Sequence, residues 1–255
     1  MNANTTLRLP KIIGHRAAGA YAPENTVAAL KTANNLKAKW IEFDVMLTQD
    51  HIPIVFHDDT LARTTNGTGL VAHTQYQDLC SLDAGSWFSP KFVDEKIPTL
   101  VDYLRLASDY HLGINLEIKP SLGKEIETAE KVVERLHQHW PMQDGSLLIS
   151  SFSIPALQRV RELDKRVPLG LLLEKLDAVD WQTITHQLSC YSLNIHHTLL
   201  TTEIIKAIKC KVDYLLAFTV NDKDRAFTLF EMGVDSIFSD HPDLLLHCPM
   251  HAPYH

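Results

Sequence analysis

Ile41-Glu42-Phe43-Asp44-Val45 and Leu116-Glu117-Ile118-Lys119 are short apolar runs interrupted by a charge at every second position. Successive side chains of a strand point to opposite faces, so Glu42 and Asp44 share one face, as do Glu117 and Lys119, while Phe43 and Ile118 pack away. Carboxylates gathered at one level of an interior repel one another, and burial further disfavours their charged forms. Glu42, Asp44 and Glu117 stay ionised together if one divalent cation sits among them. An all-oxygen ligand set suits a hard ion, Mg²⁺ by expectation with Ca²⁺ as the alternative. Two further segments end in histidine, Gly14-His15-Arg16 and Phe56-His57-Asp58-Asp59. Histidine titrates nearest neutrality, so one ring can take a proton while the other gives one. Cleaving a phosphodiester needs such a pair, together with groups that stabilise phosphoryl charge. Arg16 has the fork geometry of a phosphate clamp, and Lys119 could compensate the carboxylates or hold a phosphate.

Each element has a plainer reading. A single Glu-X-Asp is often an ion-paired strand edge, and Arg16 and Lys119 could simply neutralise acids. His196 and His197, and the histidines His247, His251 and His255 of the tail, take that plainer reading, although His196 ends a strand candidate and could line the same pocket. What favours a site is convergence of two such faces and two strand-end histidines in one alternating frame. Ala22-Pro23-Glu24-Asn25-Thr26 reads first as a helix start, with Pro and an acid at the positive end of the dipole. Glu24 or Asn25 could also reach the site.

The elements that must position these groups alternate along the chain. Strand candidates are Lys11–His15, Trp40–Val45, Ile52–His57, Ile114–Lys119, Leu147–Phe152, Leu169–Leu173, Ser192–His196, Tyr214–Val220 and Ser236–Ser239. Amphipathic stretches separate most of them: Thr26–Lys37, Leu100–Tyr110, Lys124–His139, Ile154–Leu163, Thr202–Ile208 and Asp222–Met232. This is the pattern of βαβ units and predicts a TIM-type (β/α)₈ barrel, whose active sites lie at the C-terminal ends of the strands. The candidates exceed eight by one, and the six residues between Val45 and Ile52 are too few for a crossover helix, so the second and third could form a hairpin with one member outside the barrel. Asp58 to Pro98 breaks the alternation with Asn66-Gly67-Thr68-Gly69, Asp83-Ala84-Gly85-Ser86-Trp87 and Ser89-Pro90. Trp87, Phe88 and Phe92 mark it as a small capping insertion rather than a linker, within one domain spanning residues 1–255.

Composition agrees. The 255 residues are 45% hydrophobic and carry a net charge of −7 with no basic patch, which excludes nucleic acid as the main partner. Cys80, Cys190, Cys210 and Cys248 form no Cys-X-X-Cys pair, so structural zinc and a disulfide framework are not expected. There is no apolar run of the roughly 18–20 residues a membrane span needs, and no secretory signal is visible at Met1–Leu9, so a cytoplasmic enzyme acting on a small molecule is expected. A homodimer is left open.

Taken together, the segments HRAAG–PENT (His15 to Thr26), IEFDV, VFHDDTLARTTNGTG (Val55 to Gly69), LEIKP, SSF around Ser151, FTVN (Phe218 to Asn221) and GVDSIFSDHPD (Gly233 to Asp243) resemble the glycerophosphodiester phosphodiesterase family over almost the whole chain. The likeness is to the short cytosolic bacterial enzymes associated with glycerol-phosphate uptake. It implies a phospholipase-C-like barrel that hydrolyses glycerophosphodiesters, such as glycerophosphocholine and glycerophosphoethanolamine, to sn-glycerol 3-phosphate and an alcohol. It also implies roles: His15 and His57 as acid/base pair, Glu42, Asp44 and Glu117 on the metal, Arg16 and Lys119 on phosphate, and Phe218 stacking on glycerol or head group. Two departures stand out. The family commonly has glycine after His-Arg, where this chain has Ala17 and Ala18, and many members have Trp or Tyr where this chain has Phe218. Rival readings are a lysophospholipase D- or sphingomyelinase D-like enzyme, with Trp87, Phe88 and Phe92 supplying an apolar surface, and a catalytically silent phosphodiester-binding barrel.

Overall fold

The structure, a computed structural model, describes Leu7, residues 9–141 and residues 145–244; the tail from Leu246 lies outside the described residues. All nine strand candidates form: β1 (Ile12–Gly14), β2 (Trp40–Leu47), β3 (Pro53–Val55), β4 (Gly113–Ile118), β5 (Leu147–Ser151), β6 (Leu169–Leu173), β7 (Ser192–His196), β8 (Tyr214–Phe218) and β9 (Ser236–Ser239). Eight of them pair in parallel in the order β1-β2-β4-β5-β6-β7-β8-β9, and β9 returns to β1, closing a (β/α)₈ barrel. β3 is the ninth. It runs antiparallel to the end of β2, Val45 opposite Val55, and so lies outside the barrel. His57 accordingly sits on the loop after β3, tied to the barrel where the Phe56 N–H donates to the Asp44 carbonyl at 3.0 Å.

The alternation of β2 and β4 divides two cores. Ile41, Phe43 and Val45 point outward with Ile114 and Leu116 into the layer shared with the helices. Inward, Ile13, Trp40, Leu148, Leu216 and Phe238 pack with Leu7 in the lower barrel. The next inward positions on β2 and β4 are polar, and their register sets Asp44 beside Glu117 and Glu42 beside Asn115.

The helices are α1 (Val27–Asn35), α2 (Tyr76–Leu79), α3 (Leu100–Asp109), α4 (Glu125–His139), α5 (Ile154–Leu163), α6 (Trp181–Gln187), α7 (Thr202–Lys209) and α8 (Lys223–Met232). Thr26, Thr99, Ser153, Thr201 and Asp222 start five of them by accepting a backbone N–H three residues on. α6 is absent from the sequence expectation because its apolar face is short, Trp181 and Ile184 in seven residues, both only partly buried against the core; its start is fixed by Asp180, which accepts from the Thr183 N–H. The irregular 58–98 stretch has its own small core, in which Leu61, Val71, Leu79, Ala84 and Ile97 pack on Met46, Ile54 and Phe56 of the β2–β3 hairpin. Trp87, one of the aromatics that mark the stretch as an insertion, is exposed and meets Phe88 edge-on, as Phe88 meets Phe92.

Candidate active site

Glu42, Asp44 and Glu117 are all buried, and one carboxylate oxygen of each lies within 4.8 Å of the others. Their surroundings differ. Asn25, whose φ of 59° turns it back over β2, donates from Nδ2 to Asp44 at 2.9 Å. The Arg16 and Ala17 amides both turn to Glu42, at 2.8 Å to its Oε2 and 2.9 Å to its carbonyl. Glu42 Oε1 and Glu117 Oε1 are buried with no hydrogen-bond partner. Burial, then the charges of Asp44 and Glu117, pushes the Glu42 carboxyl well above its usual range. Burial and Asp44 push Glu117 up to about 8. For Asp44 burial also acts upward, but His57, Arg16, Lys119 and the Asn25 bond outweigh it and hold the carboxyl below its usual value. Unmatched buried carboxylate oxygens are costly, and a hard cation among these three groups would satisfy both.

The two histidines flank this cluster, each locked to an aspartate. His15 Nδ1 is 2.7 Å from Asp240 Oδ1, and its Nε2 is 4.0 Å from Glu42. Asn221 in turn donates to Asp240 Oδ2 at 2.5 Å. Burial alone would raise Asp240, but the bonds from His15 and Asn221 keep it low and ionised, so it accepts and His15 donates from Nδ1. His57 Nδ1 lies 2.5 Å from Asp58 Oδ1, and its Nε2 accepts from Lys119 Nζ at 3.1 Å. Burial, then the charges of Arg16 and Lys119, lowers the His57 pKa, which favours the neutral ring.

Arg16 links two acids, and Lys119 links an acid to His57. Arg16 Nε is 3.8 Å from Asp44 and its Nη1 donates to Glu24 at 2.6 Å, while Lys119 Nζ is 3.8 Å from Glu117. Phe218 stands further back. It meets Phe152 and His196 edge-on, with centroids 5.8 and 5.7 Å away, and Phe152 carries this aromatic wall to a cavity of about 680 Å³. His57, Asp58, Glu117, Lys119, Leu122 and Phe152 are among its lining residues, and Trp87, Phe88 and Phe92 are not. A smaller cavity of about 320 Å³ beside Glu174 holds none of the histidines or buried carboxylates. Of the residues named from the sequence, His15, Arg16, Glu42, Asp44, His57, Glu117 and Lys119 are brought together, whereas Phe218 packs on Phe152 and His196 and is not among the residues lining the cavity. Glu24 and Asn25 reach the site. Asp240, Asn221, Asp58 and Arg63 support it and were not singled out; their only sequence signal is that they lie within the stretches that carry the family resemblance.

Two histidines beside a buried carboxylate triad at a barrel mouth suit the chemistry of a metal-assisted phosphoryl-transfer hydrolase. The glycerophosphoryl diester phosphodiesterase family matches residues 15–244, and the chain belongs to that family. Its activity is hydrolysis of glycerophosphodiesters, and the family depends on a divalent metal. Among its relatives are the glycerophosphodiester phosphodiesterase of Caldanaerobacter subterraneus, 33% identical over 92% of this chain and 96% of that one. Another, from Bacillus subtilis, is 33% identical over 91% of this chain and 84% of its own length. A solved structure of an Oleispira antarctica phosphodiesterase in complex with the product sn-glycerol 3-phosphate is 42% identical, covers 93% of this chain and 96% of that chain, and superposes with a TM-score of 0.89. No helix among the described residues is long and apolar enough to cross a membrane.

Proposed function

We propose that this site hydrolyses glycerophosphocholine and glycerophosphoethanolamine to sn-glycerol 3-phosphate and the alcohol, with His15 and His57 as the acid/base pair and Glu42, Asp44 and Glu117 holding one Mg²⁺. The carrying observation is the buried carboxylate triad, with two oxygens unmatched, between two histidines that each have Nδ1 committed to an aspartate. When bound, the cation neutralises phosphoryl oxygens and makes phosphorus more electrophilic. The side chains do the rest. With Nδ1–H donated to Asp58, His57 offers Nε2 as proton acceptor for the attacking hydroxyl, either of water or of the substrate itself, in which case a cyclic phosphate forms and a second attack by water opens it to sn-glycerol 3-phosphate. His15, held by Asp240, delivers a proton from Nε2 to the departing alcohol. Arg16 and Lys119 balance the charge of the phosphate, and Phe218 with Phe152 offers the carbon face of the substrate an apolar wall.

The chain acts as one barrel domain in this reading, with residues 58–98 as its insertion, and in the cytoplasm, in keeping with three unpaired cysteines among the described residues. The test is coupled detection of glycerol 3-phosphate with Mg²⁺, Ca²⁺ or chelator, with His15→Ala and Glu42→Ala alongside. Release that needs metal and disappears in both variants is expected; release that survives the chelator or Glu42→Ala would sink the assignment.

A further inference from the structure

Arg63 belongs to the insertion, outside every strand of the barrel, yet its guanidinium binds two carboxylates at the mouth. Nε and Nη2 donate to Asp58 Oδ2 and Oδ1 at 2.6 and 2.8 Å, and Nη1 and Nη2 donate to Glu24 Oε2 and Oε1 at 2.8 and 2.7 Å. Glu24 Oε1 is shared with Arg16 Nη1. A continuous chain therefore runs from His57 through Asp58, Arg63 and Glu24 to Arg16, joining the loop after β3 to the loop after β1.

We propose that Arg63 is the positioning residue of His57: by clamping both oxygens of Asp58 it fixes the plane of that carboxylate, and with it the tautomer and direction of the imidazole. A planar fork holding a carboxylate on both oxygens removes the rotation that would let Oδ1 swing off Nδ1. Asp58 and Glu24 are largely covered, with side chains 22% and 12% exposed, while Arg63 itself is 43% exposed. Comparison with the other histidine makes the role specific. Asp240 is held by Asn221, whose Nδ2 donates to Oδ2 while its Oδ1 accepts from the Asp240 N–H at 2.9 Å, and Asn221 lies on the barrel loop after β8. One histidine is thus oriented by the barrel through an amide, the other by the insertion through a cation. The bland alternative is a surface ion pair without consequence for turnover. It leaves unexplained why two largely covered carboxylates from different loops converge on one guanidinium whose partner contacts the catalytic ring.

The proposal rests on His57 being an acid/base group, so His57→Ala is measured first; wild-type turnover in that variant would overturn the reading of the active site rather than this inference. Given its loss, Arg63→Ala is expected to lower kcat about 10–100-fold, the usual effect of removing a group that orients a catalytic one, while KM for glycerophosphocholine moves less than about threefold. In the Asp58→Ala background the same substitution should add less than about threefold, because the carboxylate through which it acts is gone. Guanidinium ion at tens of millimolar should restore part of the kcat of Arg63→Ala, and sodium at equal ionic strength should not. Should Arg63→Ala fail to fold, Arg63→Gln and Arg63→Lys, which keep the volume and at most part of the fork, carry the same comparison. An unchanged kcat, a rise confined to KM, or independent multiplication of the Arg63 and Asp58 effects would each overturn it.

Discussion

Glu117→Gln is expected to make the metal-free protein more stable at alkaline pH while removing its response to metal. Without a cation, burial and Asp44 raise the Glu117 carboxyl from 4.5 in an unfolded chain to about 8. The folded state then binds a proton more tightly than the unfolded one, so this group's contribution is fully present below pH 4.5 and is lost as pH climbs through 8. Lifting a carboxyl over that range corresponds to roughly 5 kcal/mol at pH 9. The glutamine escapes that cost but buries an amide donor without a partner, for about 1–3 kcal/mol. The net gain at pH 9 is about 2–4 kcal/mol, or about 5–10 °C in Tm for a chain of this size. At pH 5, where the native carboxyl is already protonated, the variant should be slightly the less stable of the two. Thermal unfolding in chelator at pH 5 and pH 9 tests this crossing. Added Mg²⁺ should then close or reverse the gap at pH 9, since saturation at a thousandfold over Kd lends the wild type about 4.1 kcal/mol and the variant little. A variant less stable than the wild type at both pH values in chelator would refute the electrostatic account, and one still strongly stabilised by Mg²⁺ would refute the placement of the cation.

Two further predictions concern how the histidines are held. Asp240→Asn leaves the His15 ring in place, but the single amide oxygen of the new side chain is drawn to the Asn221 donor and its NH2 turns to His15 Nδ1, imposing the other tautomer, so kcat should fall about 100-fold or more with little change in KM, measured by the same release assay. Gly14→Ala would set a β-carbon 2.1 Å from the Ala17 carbonyl oxygen, which is backbone and cannot rotate away. The turn carrying His15 and Arg16 must then move by about an ångström, and a drop of about 100-fold in kcat/KM is expected; near-normal turnover would show that the turn is not as tightly set as the geometry requires.

The barrel and the triad were legible because period-two patterning is local: a Glu-X-Asp inside an apolar run states which face each side chain takes, before any partner is known. β3 was legible only as one strand too many, because antiparallel pairing with β2 replaces a crossover and only assembly decides which of the two enters the barrel. α6 left only a short periodic mark, Trp181 and Ile184, too brief beside the polar residues around it to stand out as a helix. The partners of the histidines were hidden for a different reason. Asp240 lies 225 residues from His15 and meets it only because β9 closes on β1. Asp58 is adjacent to His57, but what makes it useful is Arg63, and nothing local in the sequence says that this arginine folds back on the mouth.

Ala17 stands where the family commonly has glycine, in a turn that is strained but packed. Arg16 and Ala17 have φ of 47° and 68°, a left-handed pair that costs about 1–2 kcal/mol for each residue with a β-carbon. That conformation turns the two amides side by side, Arg16 N to Glu42 Oε2 and Ala17 N to the Glu42 carbonyl, and lets the Arg16 carbonyl accept from the Asn25 N–H. Glycine would adopt the turn without strain, but it would also reopen the chain's freedom at the residue that aims the arginine. Ala17 is fully buried, so its methyl packs into the layer beneath the turn and offsets part of the strain. The β-carbon therefore falls on the packed side of the loop, among apolar residues, while the amides hold the carboxylate. The substitution alters how the turn is stabilised and leaves the groups aimed at the substrate where a glycine would put them.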